Sequence, residues 1–236
     1  MGGRSTERSS DRHGVWNMKI GILGAGFIGR AMATLAKSRG HEVMISNSRD
    51  PRTLISTAAA IGCALGTAEQ AAEFGDVVVV ALPFSSIDAL PVAALDGKTV
   101  IDTCNHYPER DGRSEALESH STTTSQMLAA ALPGAKVVKA FNAILARDLE
   151  THGKPAGTPK RRALPFAGDD AQARHVVSGL LDQFGFDPVD AGALEDSWRF
   201  ERAKPVYCIP LDRAGIAEGL AAAKRDVELP HGSWRR

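Results

Sequence analysis

The chain of 236 residues is long enough to bury a full core, as one domain or as one domain with a small second lobe. Its hydrophobic fraction of 43% and charged fraction of 24% are those of an ordinary soluble globule, and Lys+Arg equals Asp+Glu at 28 each, so net charge draws it neither to nucleic acid nor to an anionic membrane. Cys63, Cys104 and Cys208 form no CxxC or Cys/His ligand spacing, which argues against a metal site and fits a reducing, cytoplasmic compartment; no apolar run reaches the ~18–20 residues needed to span a bilayer.

Residues 1–17, "MGGRSTERSSDRHGVWN", are polar and Gly/Ser-rich, lack the apolar region of a secretory signal and read as a disordered extension. From Met18 short apolar runs alternate with helical patterns, the mark of a parallel sheet covered by helices. "MKIGIL" (18–23) reads as a strand, and Ile28, Ala31, Met32, Leu35 and Ala36 then recur at helical spacing until Gly40. "EVMIS" (42–46) is a second strand, and Asp50 before Pro51 is an N-cap and first-turn pair for the next helix. Thr67 with Gln70 forms a capping-box pattern. "DVVVVAL" (76–82) is apolar throughout, as a strand covered on both faces should be, and 98–102 and 136–140 are two more strands. Between those two lies "TCNHYPERDGRSEALESHS" (103–121), a long loop without apolar periodicity; loops of this length are often functional.

Residues 151–162 read as an exposed excursion, with "KRR" (160–162) as solvated loop charge and the final Arg235 and Arg236 as solvated tail charge. Residues 163–190 make one more β–α–β unit. Its helix is capped by Asp169 or Asp170 and carries Val176, Val177, Leu180, Leu181 and Phe184 on one face. Residues 192–225 are mostly helical in pattern. The expected architecture is a doubly wound, mostly parallel α/β sheet with a small C-terminal βαβ/helical extension. It divides into a main unit at 18–145 and a lobe at 146–236 that completes a cleft.

The most specific motif stands between the first strand and its helix. "GAGFIG" places Gly24, Gly26 and Gly29 in the G-x-G-x-x-G pattern: Gly24 for the tight turn, Gly26 for close approach of a pyrophosphate, Gly29 for helix–strand packing. The helix N-terminus adds free N–H groups and the positive dipole end. In NAD binders an Asp or Glu at the end of the second strand grips the ribose hydroxyls. Here that tip reads "ISNSRD": Ser46, Asn47, Ser48 and Arg49 are donors, Arg suits phosphate geometry, and Asp50 is assigned to helix capping. The expected cofactor is therefore NADP(H). Short-chain dehydrogenases, which pair Tyr with Lys four residues on, are set aside, because Tyr107 is followed at that spacing by Asp111 and Tyr207 by Leu211.

These segments, with "VIDTCNHYPERDG", "AKVVKAFNAI" and "PFAGDD…GFDPVDAG", resemble the F-420-dependent NADP oxidoreductase family over about residues 18–210. That family includes NADPH:deazaflavin reductases and the cytoplasmic domain of the metalloreductases. The resemblance implies a Rossmann fold and hydride transfer between NADPH and a deazaflavin (coenzyme F-420) or a flavin such as FMN, in a cleft at the C-terminal ends of the strands. It implies that Gly24, Ala25, Gly26, Phe27 and Ile28 hold the pyrophosphate. Asn47, Ser48 and Arg49 would lie at the 2′-phosphate, Ala81, Leu82 and Pro83 on the ribose-nicotinamide side, and Ala140 and Asn142 near the nicotinamide. The family's deazaflavin reductases carry His at the position of Asn142, and this chain departs from them there.

Hydride transfer to a flavin-like ring needs alignment and exclusion of water, whereas a carbonyl or imine usually needs a proton donor. Candidate donors are His106 and Tyr107 in the long loop and Lys139 in a strand, where an ion-pair role competes. Cys104 reads as apolar filler, His175 has no partner pattern, and Trp198 and Phe200 read as packing residues. NADP-dependent hydroxyacid and imine reductases add a helical domain for which the chain has too few residues after its last strand. A homodimer partner is expected to supply the missing wall. Three readings stay open: a flavin-type reductase, a carbonyl or imine reductase, and a non-catalytic NADPH-binding redox sensor.

Overall fold

The computed structural model describes residues 17–230 and 232–233. The expectations for the N-terminal extension, apart from Asn17, and for the terminal arginines lie outside the described residues.

Among the described residues eight strands form one sheet: β1 (Lys19–Leu23), β2 (Glu42–Ser46), β3 (Ala64–Leu65), β4 (Val77–Val80), β5 (Thr99–Asp102), β6 (Lys136–Ala140), β7 (Ala163–Gly168) and β8 (Asp187–Asp190). Their order is β3-β2-β1-β4-β5-β6-β7-β8. All neighbours are parallel except β6 and β7, which are antiparallel. This is the doubly wound Rossmann arrangement. The strand order reverses between β1 and β4, where such sheets open a crevice for ligands.

Among the described residues ten α-helices accompany them: α1 (Phe27–Ser38), α2 (Ile55–Ile61), α3 (Ala68–Phe74), α4 (Val92–Leu95), α5 (Pro108–Asp111), α6 (Glu115–Glu118), α7 (Thr124–Ala131), α8 (Ala146–Thr151), α9 (Ala171–Gln183) and α10 (Arg213–Ala222). Alternation along the buried strands sends Ile20, Ile22, Val77 and Val79 to the face packed by α1 and α9. Leu23, Val78, Val80 and Val100 go to the opposite face, packed by α3 and α7. Both faces are covered, so the strand runs are apolar throughout.

Local signals act as their chemistry dictates. Asp50 Oδ1 accepts from Arg52 N at 2.9 Å, Thr67 and Gln70 form the capping box of α3, and Asp170 accepts from Ala173 N at 2.7 Å. Asp169 instead holds Leu194 N at 2.9 Å.

Three expectations need correction, and two elements were not anticipated. The loop at 103–121 contains the short helices α5 and α6, each one turn long and too short to show a period. Strand β3 is two residues long and carries no sequence pattern, whereas helix α7 begins with a capping box of Thr123 with Gln126 that the sequence reading missed. The segment 192–225 is less helical than its composition implies: a 3₁₀ helix at Leu194–Phe200 is followed by turns until α10. The arginines of "KRR" are not solvated. Arg161 and Arg162 are buried, Arg161 Nη1 meeting Asp182 at 2.5 Å and Asp187 at 3.0 Å, and Arg162 Nη1 meeting Asp148 at 3.0 Å. Carboxylates distant in sequence thus compensate the desolvation that made burial look improbable.

Candidate active site

The cradle sits between β1 and α1. Gly24 has φ +113°, and a Cβ there would lie 2.3 Å from the Ala81 carbonyl oxygen. A Cβ on Gly29 would lie 1.8 Å from the Gly24 carbonyl oxygen, so helix and strand can touch only without a side chain. Gly26 differs: its φ of −72° is open to any residue, and a Cβ would meet nothing within 4 Å. What Gly26 keeps clear is therefore space outside the protein, where a pyrophosphate would lie. No side chain caps α1, so its first N–H groups are free for an anion. These residues fit a dinucleotide. Phe27, at the helix start, is 81% exposed and stands beside this space.

The tip of β2 is tied to the cradle by the bond from Gly24 N to Ser46 O at 3.0 Å. Ser46 is buried and donates to Ile22 O at 3.1 Å, so it is not available as a donor at the ribose, contrary to expectation. Asn47 organises the turn, Nδ2 donating to Thr53 Oγ1 at 3.0 Å and Oδ1 accepting from Arg49 N at 3.0 Å. Asp50 is engaged by Arg52 at 2.6 Å. Ser48 and Arg49 remain exposed at the tip. After β4, Ala81 backs Gly24, while Leu82 is half-buried and Pro83 exposed.

At the C-terminal ends of β5 and β6, next to the start of α1, lies a cleft of about 550 Å³. Phe27 and Ile28 wall it on the cradle side, Thr103, Asn105 and Asn142 at the strand ends, and Tyr107, Tyr207 and Cys208 opposite. Asn142 is buried; its Nδ2 donates to Asn105 Oδ1 at 3.1 Å and to Phe200 O at 3.0 Å, while its own Oδ1 has no partner among the described residues. Both neighbours of the nitrogen are acceptors, so the amide orientation is determined. Phe141, just before it, has φ +59°, and Cys208 across the cleft has φ +58°. Non-glycine residues in this region store of order 1–3 kcal/mol each and gather at functional sites.

Tyr107 and Tyr207 join the long loop to the C-terminal segment: their hydroxyls are 2.5 Å apart. Tyr207 is buried, and burial first, then the neighbouring Cys208 and Tyr107, push its phenol above the ordinary value. Burial likewise pushes the Cys208 thiol up to about 12. Tyr107 is held from several sides. Asp111 Oδ2 accepts its N–H at 2.9 Å, and the guanidinium groups of Arg110 and Arg202 lie 4.8 Å and 5.4 Å from its ring centre.

Other sequence candidates fall elsewhere. Lys139 is wholly buried on the opposite face, its Nζ donating to Asp102 Oδ2 at 3.1 Å, Thr124 Oγ1 at 2.9 Å and Cys104 O at 2.5 Å. All three ammonium donors are used, so Lys139 is a structural cation and cannot reach a ligand. His106 meets Gly112 O at 2.8 Å and faces a separate hollow beside Trp198 and Glu201. Ala140 is buried within the sheet, where its side chain cannot line the cleft. Cys104 is buried, as its reading as filler required. The sequence reading missed Asn105, Tyr207 and Cys208. Asn105 had a signal, its place just after a strand end; Tyr207 and Cys208 had none.

The fold and cradle are those of a Rossmann dinucleotide-binding protein. Residues 19–106 match the family model described as NADP oxidoreductase, coenzyme F420-dependent, in agreement with the resemblance read from the motifs. The chain is 31% identical over 196 residues to metalloreductase STEAP3 of Rattus norvegicus, an alignment covering 82% of this chain but only 36% of that protein. It is 35% identical over 71 residues to protein YjhV of Escherichia coli, covering 30% of this chain and 52% of that one. Among solved structures, hypothetical protein SMa0349 of Sinorhizobium meliloti superposes with TM-score 0.71 at 29% identity, covering 84% of this chain and 96% of that chain. A candidate F420-dependent NADP reductase from Arthrobacter sp. FB24 superposes with TM-score 0.67 at 27% identity, covering 77% and 87%. Among the described residues no helix is long and apolar enough to cross a membrane.

Proposed function

We propose that the chain is a reductase that binds NADPH in the cradle and passes hydride to a flavin-like or deazaflavin acceptor in the adjoining cleft. The observation that carries this reading is the continuity of the two sites: Phe27 and Ile28 belong to the cradle and also wall the 550 Å³ cleft. Bound NADPH supplies the hydride. The chain's part is to bind and align. The start of α1 receives the pyrophosphate, Ser48 and Arg49 take the 2′-phosphate, and Asn142, clasped to Asn105, forms the cleft floor. Phe27, exposed beside the cradle, gives an apolar face on which a planar ring stacks, and alignment with exclusion of water does most of what hydride transfer requires. The segment beyond residue 145 completes the acceptor side through Tyr207 and Cys208, and a homodimer partner closes the open side. A cytoplasmic site of action fits three free cysteines.

Reduction of a small carbonyl or imine is the second reading, favoured by the paired phenols at the cleft. An acceptor panel separates the readings: loss of NADPH absorbance is followed with deazaflavin, FMN, FAD, ferric chelates and a cyclic imine. Turnover with the ring acceptors is expected. Turnover with the imine alone overturns the flavin-type reading, and tight NADPH binding without turnover of any acceptor makes the chain a sensor.

A further inference from the structure

The cleft holds a feature that alignment alone does not require. Of all the side chains around it, Tyr107 and Tyr207 share a short hydroxyl contact of 2.5 Å across 100 residues of sequence. They are also the only two tyrosines in the chain. Their surroundings differ. Tyr207 is buried with its hydroxyl beside the Cys208 thiol, and either hydroxyl of the pair can donate to the other. Tyr107 is half-buried at the cleft, so it is the phenol that can give its proton to an occupant, with the Tyr207 hydroxyl placed to donate to the oxygen left behind. The charged groups around Tyr107 are Arg110 and Arg202 over its ring, Asp111 on its backbone N–H and Glu109 paired with Arg202 at 3.2 Å. Arg147 lines the same cleft. The two guanidiniums lie against the ring, where they would stabilise a charge forming on its oxygen.

We propose that Tyr107, hydrogen-bonded by Tyr207, is the proton donor to the acceptor, and that the acceptor is therefore a planar conjugated electrophile whose heteroatom takes up a proton as hydride arrives. A ring nitrogen or carbonyl oxygen of a flavin-like molecule meets this, as does a C=N or C=O bond. The step balances as follows. The acceptor gains two electrons and one hydrogen as hydride from NADPH, which leaves as NADP⁺. The Tyr107 O–H bond breaks and its proton completes the second new bond on the acceptor. Tyr207 holds the resulting phenolate through its own O–H, and solvent at the half-exposed Tyr107 returns the proton. The proposal rests on the reading of the cleft as the acceptor site.

The test uses Tyr107→Phe and Tyr207→Phe in the full chain. Both keep the ring, its volume and its stacking on the guanidiniums, and remove one hydroxyl. The first readout needs no acceptor. With only two tyrosines present, the ultraviolet absorbance of phenolate, titrated with NADP⁺ bound, reports this pair and nothing else. The first phenolate should form at lower pH in the wild type than in Tyr207→Phe, because the variant has lost the donated bond; coincident midpoints overturn the relay. The second readout is turnover with the best acceptor of the panel. Tyr107→Phe should lower kcat roughly a hundredfold with NADPH affinity unchanged, and should change the pH profile of kcat. If the wild type turns over and Tyr107→Phe matches it in rate and pH profile, the donor role alone falls. If the wild type reduces no acceptor, the reductase reading and the donor role fall together.

Discussion

Asn105 and Asn142 clasp each other across the ends of β5 and β6. Asn142 Nδ2 donates to Asn105 Oδ1 at 3.1 Å, and Asn105 Nδ2 donates back to Asn142 O at 3.1 Å. The pair sets the floor of the cleft and, through Phe200 O, ties it to the C-terminal segment. Asn142→Ala leaves Asn105 Oδ1 and Phe200 O buried without a donor. It should cost about 2–4 kcal/mol of stability in urea denaturation. A loss below the error of the measurement would show that the clasp holds nothing together.

The cradle glycines should separate folding from binding. Gly26→Ala has an ordinary φ and open space around its new methyl, so thermal stability should stay within about 0.5 kcal/mol while NADPH binding is lost. Gly29→Ala drives a methyl into the Gly24 carbonyl and should destabilise by about 1–3 kcal/mol. Calorimetric binding and melting of the two variants check the contrast. Normal NADPH affinity in Gly26→Ala would remove the pyrophosphate from this site.

Cofactor choice should depend on Arg49 and not on Arg52. Arg49 is exposed at the β2 tip, whereas Arg52 is held by Asp50. Arg49→Ala should weaken NADPH about tenfold, as loss of one charge-assisted phosphate contact does, and leave NADH unchanged. Equal effects on the two cofactors would contradict a 2′-phosphate at this tip.

Lys139 should matter for stability rather than rate. Lys139→Met strands the buried Asp102 carboxylate and should cost about 3–5 kcal/mol in urea. Adding Asp102→Asn should recover part of that loss, since no charge is then left uncompensated. A Lys139→Met chain that folds normally yet loses turnover would reverse this assignment.

Acid sensitivity should trace in part to Asp111. Burial works to raise its pKa, but bonds from Arg110, Tyr107 N and Ser85 outweigh it and hold the carboxyl at about 2 against an ordinary 3.8. A carboxylate lowered in the folded state stabilises fully above its unfolded value and loses that contribution as pH falls through the folded one. The contribution, about 2 kcal/mol, should vanish between pH 3.8 and about 2. Asp111→Asn should be less stable at neutral pH and show a flatter acid limb over that window; an unchanged acid limb would mean Asp111 is not what holds the loop carrying Tyr107.

Much of this protein was decided by sequence alone, for a physical reason. Strand alternation, the glycine cradle, the Asp50 and Asp170 caps and the capping box of Thr67 with Gln70 are local: each depends on residues a few positions apart and on backbone sterics. The doubly wound sheet and the missing acid at the β2 tip could therefore be read directly. Tertiary structure decided everything that depends on distant partners. Whether Arg161 and Arg162 were solvated or buried depended on Asp148, Asp182 and Asp187. The same holds for Lys139, whose role was set by Asp102 and Thr124 meeting it on the covered face, and for Ser46, whose hydroxyl was claimed by Ile22. Most of all, the pairing of Tyr107 with Tyr207 has no sequence signal, because two phenols 100 residues apart meet only when the chain beyond β8 returns to the ends of β5 and β6.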